Sequence, residues 1–147
     1  MESQGFEQVL GLVPEQVTAD EVILRLPLAP TLMQPYGIVH GGVWCAVVET
    51  AASLGAEQWW GDRGTVVGVS NHTNFLRAVR EGDVTARATP LHRGRLQQLW
   101  TVEVRDRDER LVARGEVRLQ NLAHDHGFAR ASPGPDPTVT PDRSPPA

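Results

Sequence analysis

The 147-residue chain is about the length of one domain, and a domain of that size buries about 68–70% of its unfolded surface, enough for one ordinary core. Its 14 basic and 18 acidic residues give a formal charge of -4, which argues against a general nucleic-acid binder and against a basic membrane-surface protein. All the basic residues are Arg, and without Lys there is neither a Schiff-base lysine nor a P-loop lysine.

In chain order, the first clear element is Val22, Leu24, Leu26 and Leu28 alternating with Glu21 and Arg25. That period of two describes a strand with one buried and one wet face. Gln34-Pro35-Tyr36-Gly37 then reads as a loop. The segment from Gly41 to Trp60 is too long for a strand, rich in Ala and apolar on every side, which predicts a helix buried all round. Val67 to Phe75 is the next strand candidate, and Val84 to Leu91 follows the turn at Glu81-Gly82-Asp83. Trp100, Val102 and Val104 alternate with Thr101, Glu103 and Arg105; Leu111, Ala113, Gly115, Val117 and Leu119 alternate with Arg114, Glu116 and Arg118. The intervening DRDE at 106–109 suits a tight turn, which makes these two strands hairpin partners. The order is strand, helix, then four antiparallel strands. It predicts an α+β fold in which a curved antiparallel sheet of about five strands wraps around one central buried helix.

Residues 132–147 hold six of the 11 prolines and almost nothing that could pack in a core. The expectation is a folded domain over residues 1–122 and a Pro-rich, disordered tail over 123–147. A single cysteine, Cys45, excludes a disulfide framework and a thiolate metal cluster within one chain, and fits a reducing, cytoplasmic setting. The longest uninterrupted apolar run, Val43 to Val48, is far short of the ~18 residues of a membrane helix, and the acidic N-terminus lacks the basic and apolar parts of a signal peptide. His124 and His126 form an H-x-H pair without a third ligand, so no metal site is expected.

Within the helix, Glu49 is the sole charged residue between Val43 and Ala56. A buried, unpaired carboxylate is costly, so Glu49 either sits on an exposed stripe, where Thr50 and Ser53 extend a small polar face, or in a subunit contact as a structural ion pair, or serves as a general base or nucleophile. His40-Gly41-Gly42 stands immediately before the helix. Free first-turn N–H groups at the positive end of a helix dipole stabilise an oxyanion; the alternative is a plain glycine-rich helix entry with His40 as a polar loop residue. Gly41 and Glu49 are eight residues apart, roughly 12 Å along a helix rising ~1.5 Å per residue. One helix cannot bring both to the same carbonyl carbon. Two copies packed antiparallel about a two-fold axis can, so a shared site requires a homodimer.

Gln34, His40-Gly41-Gly42, Glu49 and the hydroxyl of Ser53, with Asn74-Phe75-Leu76-Arg77, Glu81-Gly82-Asp83, Leu91-His92-Arg93-Gly94-Arg95 and Leu111-Val112-Ala113-Arg114-Gly115, resemble the acyl-CoA thioesterases of the hotdog superfamily. The pattern is most similar to the phenylacetate-pathway and 4-hydroxybenzoyl-CoA thioesterase group with a helical Glu, over residues 20–122. The resemblance implies hydrolysis of an acyl-CoA, with CoA part of the substrate and no cofactor. It implies Glu49 as nucleophile or water-activating base, the Gly41 N–H polarising the thioester carbonyl, and His40 as a second donor to that oxygen. Gln34 is then placed near the thioester or the attacking water, and Ser53 positions water or substrate. Arg93 and Arg95, flanking Gly94, and Arg77 with Arg80 are the candidate guanidinium partners of the CoA phosphates, although Arg on the wet face of a strand is ordinary. This fold also pairs dimers into tetramers, and nothing in the residues decides between the two. The alternatives are a noncatalytic acyl-CoA-binding module and a hotdog hydratase or dehydratase; no DNA-binding motif accompanies the first and no dehydratase loop motif the second.

Overall fold

The computed structural model describes residues 5–124. Its elements are α1 (Phe6–Leu10), β1 (Val13–Val17), β2 (Val22–Pro27), α2 (Gly41–Trp60), β3 (Gly64–Phe75), β4 (Asp83–Arg93), β5 (Gln97–Asp106) and β6 (Leu111–Ala123), with short 3-10 turns at Pro30–Leu32 and Gly61–Arg63. The six strands form one antiparallel sheet in the order β1-β2-β4-β5-β6-β3. The expected layout of one long helix against an antiparallel sheet is therefore present, with six strands where alternation marked five. The additional strand, β1, is short, contains Pro14 and keeps no residue fully buried. A proline at a sheet edge is tolerated because its missing N–H faces outward, and an edge strand with both faces wet leaves no alternation to read. The H-x-H residue His126 and most of the Pro-rich segment lie outside the described residues.

Alternation succeeds where one face meets α2. Val22, Leu24 and Leu26 of β2, Val84, Ala86 and Ala88 of β4, Trp100, Val102 and Val104 of β5, and Val117 and Leu119 of β6 are all buried. Burial of this apolar face, at about 25 cal/mol per Å2, is the main force holding helix to sheet. The β5–β6 turn forms as expected at 106–109, with Glu109 in the left-handed region at φ 59°. Asp106 organises it: Oδ1 accepts from the N–H groups of Asp108 and Arg110, both at 3.0 Å, and Oδ2 accepts from Arg110 Nε at 2.9 Å.

Helix α2 departs from the expectation of burial on every side. Val43, Trp44, Val47, Val48, Ala51, Ala52, Leu54, Gly55 and Ala56 are buried, while Cys45, Ala46, Glu49, Thr50, Ser53 and Glu57 form a half-buried stripe. A single open sheet covers only one side of a helix, so in one chain the stripe remains uncovered. On the covered side the fit is close. A Cβ on Gly55 would lie 2.5 Å from the fully buried Trp100 ring, so the indole packs directly on the helix backbone. The indole N–H donates to Gln98 Oε1 at 2.9 Å, and Gln98 Nε2 donates to Asn121 Oδ1 at 2.8 Å and to the Ala56 carbonyl at 3.2 Å. Asn121 Nδ2 donates in turn to the Gly94 carbonyl at 2.9 Å. This buried network links the second half of α2 to the β4–β5 turn.

Two stability predictions follow from these contacts. Gly55→Ala gains up to about 1 kcal/mol in helix propensity, but overpacking against Trp100 costs about 1–3 kcal/mol, so urea unfolding should show net destabilisation with an unchanged slope. For Asp106, burial pushes the carboxyl up, but the backbone and side-chain hydrogen bonds and the charge of Arg110 outweigh it and hold it below the ordinary value of 3.8. A lowered folded-state value stabilises the protein above the unfolded value, and that gain disappears as pH falls through the folded one. Asp106→Asn should therefore melt earlier than wild type at neutral pH, with the difference closing below pH 3.8.

Candidate functional site

At the N-terminus of α2, His40 is the N-cap residue, and its Nδ1 accepts from the Gly42 N–H at 2.9 Å. That bond satisfies one of the orphan donors of the first turn. It also leaves Nε2 as the ring atom available to donate when the imidazole is neutral. The Gly41 N–H has no acceptor among the described residues. β3 also approaches Gly41 closely: a Cβ there would lie 2.5 Å from the ring of Phe75. The preceding loop is closed by the Gly37 N–H donating to the Gln34 carbonyl at 2.9 Å and by the Gln34 N–H donating to the Ile38 carbonyl at 2.8 Å. Arg80 clamps the same loop through Nη1, which donates to the carbonyls of Tyr36 and Gly37 at 3.0 and 3.1 Å.

Two turns further on, Glu49 projects from the half-buried stripe, with Ser53 one turn beyond it. Its partner comes from β3. Asn71 Nδ2 donates to Glu49 Oε2 at 3.0 Å and to the carbonyl of Cys45 at 3.0 Å, while Thr73 Oγ1 donates to Asn71 Oδ1 at 2.6 Å. Oε1 lies against Gly68, where any Cβ would overlap it, and accepts no hydrogen bond among the described residues. Glu49 forms no ion pair with any described residue, so the structural ion-pair alternative has no partner among them.

A β-bulge makes this arrangement. The pairing of β3 with β6 steps from Gly68↔Leu119 to Ser70↔Arg118, leaving Val69 as an extra residue. One extra residue reverses the phase of a strand's side chains. Gly68 before the bulge, and Asn71, Thr73 and Phe75 after it, consequently all face α2. Asn71 and Gly68 were not among the residues singled out from the sequence. In the sequence the bulge leaves only a glycine flanked by valines, and Asn71 lies 22 residues from the glutamate it contacts.

The candidate phosphate-binding arginines separate into two kinds. Arg93 is engaged within the chain, with Nη1 donating to the Ala19 carbonyl and to Asp20 Oδ1, both at 2.8 Å, and its guanidinium 5.7 Å from the Trp59 ring. Arg95 and Arg77 are exposed, and their guanidinium groups have no partner among the described residues. Gly94 closes the β4–β5 turn by donating to the Gln97 carbonyl at 2.8 Å. Beside it a shallow depression of about 430 Å3 is lined by His92, Gly94, Arg95, Leu96, Gln97 and Gln120. Trp59 and Trp60 are half-buried at the end of α2, with the Arg63 guanidinium 4.5 and 4.3 Å from their rings. No group of three or more metal-ligating side chains occurs among the described residues, and none of the described helices is long and apolar enough to cross a membrane.

Residues 36–113 match the profile of the thioesterase superfamily. AziG of S. sahachiroi has a crystal structure that superposes with a TM-score of 0.80 at 49% identity, covering 82% of this chain and 98% of that one. The crystal structure of a Haemophilus influenzae thioesterase superposes with a TM-score of 0.81 at 34% identity, covering 86% and 89%. A Listeria monocytogenes protein named 1,4-dihydroxy-2-naphthoyl-CoA hydrolase is 31% identical over 108 residues, 74% of this chain and 88% of that protein.

Proposed function

This chain belongs to the thioesterase superfamily, and we propose that it hydrolyses an acyl-CoA thioester to the free acid and CoA. The observation that carries the reading is on α2: a half-buried carboxylate with one unpaired oxygen follows, two turns later, a helix N-terminus whose Gly41 N–H is uncapped. A thioester carbonyl that turns into a tetrahedral oxyanion needs such a donor, because the helix-end N–H binds the developing charge more strongly than the neutral ground state. The His40 Nε2–H adds a second donor. Glu49 either attacks the carbonyl carbon, giving an anhydride that water opens, or takes a proton from water as that water attacks. In both routes one water is consumed. One oxygen is added to the acyl group, either from the attacking water or from Glu49 with water restoring the carboxylate, the carbon–sulfur bond breaks, and the departing sulfur takes a proton.

The two parts belong to different copies of the chain. Along one helix Gly41 and Glu49 are roughly 12 Å apart, whereas two antiparallel α2 helices bring the Gly41 end of one to the Glu49 region of the other. Two features support this pairing: the half-buried stripe on α2, and β3 at the sheet edge, 12 residues long and exposed from Gly68 to His72. A long uncovered edge strand is an aggregation liability that a second copy removes. In this reading Gln34 belongs near the thioester or the attacking water, and Ser53, one turn from Glu49, positions water or substrate. Arg95 and Arg77 are the guanidinium groups left free for the CoA phosphates, with Gly94 admitting close approach and Arg93 shaping the turn through Asp20. The name of the Listeria relative supports CoA as the thiol and an aromatic acyl group among the substrates.

A panel of aromatic and medium-chain acyl-CoAs should release free CoA thiol with wild-type protein, and Glu49→Gln should lower kcat by about 10²–10⁴-fold. Equal, near-background rates for both proteins with intact acyl-CoA binding would identify a binding module instead. Sedimentation at the assay concentration should show a dimer or larger species; an active monomer refutes the shared site.

A further inference from the structure

We infer that Asn71 is a positioning residue that holds Oε2 of Glu49 and thereby reserves Oε1, the oxygen over Gly68, for the reaction. The inference rests on the reading of Glu49 as the reacting carboxylate. An amide side chain has one acceptor end and one donor end, and the surroundings of Asn71 permit only one orientation. The Cys45 carbonyl and the Glu49 carboxylate are both acceptors, so the end facing them must be the NH2 group. Turned over, Oδ1 would meet two acceptors at hydrogen-bond distance. Thr73 enforces the same choice from the other side by donating its hydroxyl to Oδ1 at 2.6 Å. Room for that hydroxyl comes from Gly115 on β6, where a Cβ would lie 2.6 Å from Thr73 Oγ1.

Cys45 is four residues before Glu49, on the same stripe of α2. By bridging its carbonyl and the carboxylate, Asn71 ties a side chain with several free torsions to the helix backbone itself. The two carboxylate oxygens then become inequivalent. Oε2 receives a charge-assisted hydrogen bond; Oε1 receives none and faces Gly68, a β3 position without a side chain. Positioning of this kind acts on rate more than on binding, since a misplacement of about 1 Å in a reacting group can cost 10²-fold.

The test uses full-length Asn71→Ala, Thr73→Val and Thr73→Ser beside wild type and Glu49→Gln, with kcat and KM measured on whichever acyl-CoA is turned over fastest, and with melting temperature and sedimentation recorded for each. Asn71→Ala is expected to lower kcat about 10–100-fold with KM within about two-fold of wild type. Thr73→Val should lower kcat in the same sense by less, with Thr73→Ser restoring it, because the hydroxyl and not the methyl donates to the amide oxygen. Should Asn71→Ala fail to fold, the Thr73 pair decides the matter by itself. Wild-type kcat in Asn71→Ala or in Thr73→Val, while Glu49→Gln is inactive, overturns the role of Asn71 and leaves that of Glu49 standing. A loss of rate that only tracks loss of folded dimer overturns it as well. Full activity in Glu49→Gln would instead remove the reading on which this one rests.

Discussion

Everything at the candidate site depends on one extra residue in an edge strand. Without the bulge at Val69, an unbroken period of two through β3 would place Gly68 and Asn71 on opposite faces, and the Glu49 carboxylate would have either clearance or a partner but not both. With it, glycine and amide converge on the same carboxylate, and Phe75 reaches Gly41 at the other end of the strand. One strand thus touches both chemically distinct parts of α2, which fixes the distance between them as firmly as the helix does. Bulges concentrate where a side chain has to be re-aimed, and the cost of interrupting the ladder is lowest at an edge, where one side is already unpaired.

The helix meets opposite demands on its two sides. Toward the sheet it presents Ala51, Ala52, Gly55 and Ala56, small enough for Trp100 to lie on the backbone. Close packing of this kind tolerates little movement, so the helix cannot slide or roll without displacing the indole and the Gln98–Asn121 network. On the opposite side the stripe with Glu49, Ser53 and Glu57 is only half covered. Rigidity on one face holds steady the groups on the other. The orientation of the Glu49 carboxylate there is set by Asn71.

The sequence revealed the parts that obey a period and the parts carried by unusual residues. Alternation located β2, β4, β5 and β6 because each has a single face on α2, and the length and Ala content of Gly41–Trp60 marked the helix. The lone carboxylate and the glycines before the helix stood out by composition. Less visible were features that depend on contacts distant in sequence. Alternation over 67–75 reads the same with or without a bulge, because polar residues occupy both phases after Gly68. Gln98 lies outside the alternation read over 100–105, yet it is buried because Ala56 and Asn121, 42 and 23 residues away, satisfy its amide. Burial of a polar group is legible only when its partners are. The helix α1 was missed for a simpler reason: five residues are too few for a helical period to be read.

The absence of lysine acquires a structural meaning from these contacts. Arg63 places Nε on the Trp60 carbonyl at 2.7 Å and Nη2 on the Trp59 carbonyl, closing the C-terminus of α2, where the helix dipole favours a cation. Arg80 grips two consecutive carbonyls of the loop that leads into the helix, and Arg93 holds the Ala19 carbonyl and the Asp20 carboxylate, 74 and 73 residues before it. Each task asks one side chain to hold two acceptors at a fixed angle. A planar, forked guanidinium is pre-organised for that, and an ammonium group on a flexible stem is not. Arginine is thus committed first to shaping the two ends of α2 and the turns beside it. Among the described residues Arg77 and Arg95 have guanidinium groups without a partner, and Arg95 stands on the turn that the Asn121 amide holds through the Gly94 and Arg95 carbonyls. For an acidic chain whose proposed substrate is strongly anionic, this order matters: a small number of fixed, unpaired cations can bind phosphate without a broad basic surface that would attract every other polyanion.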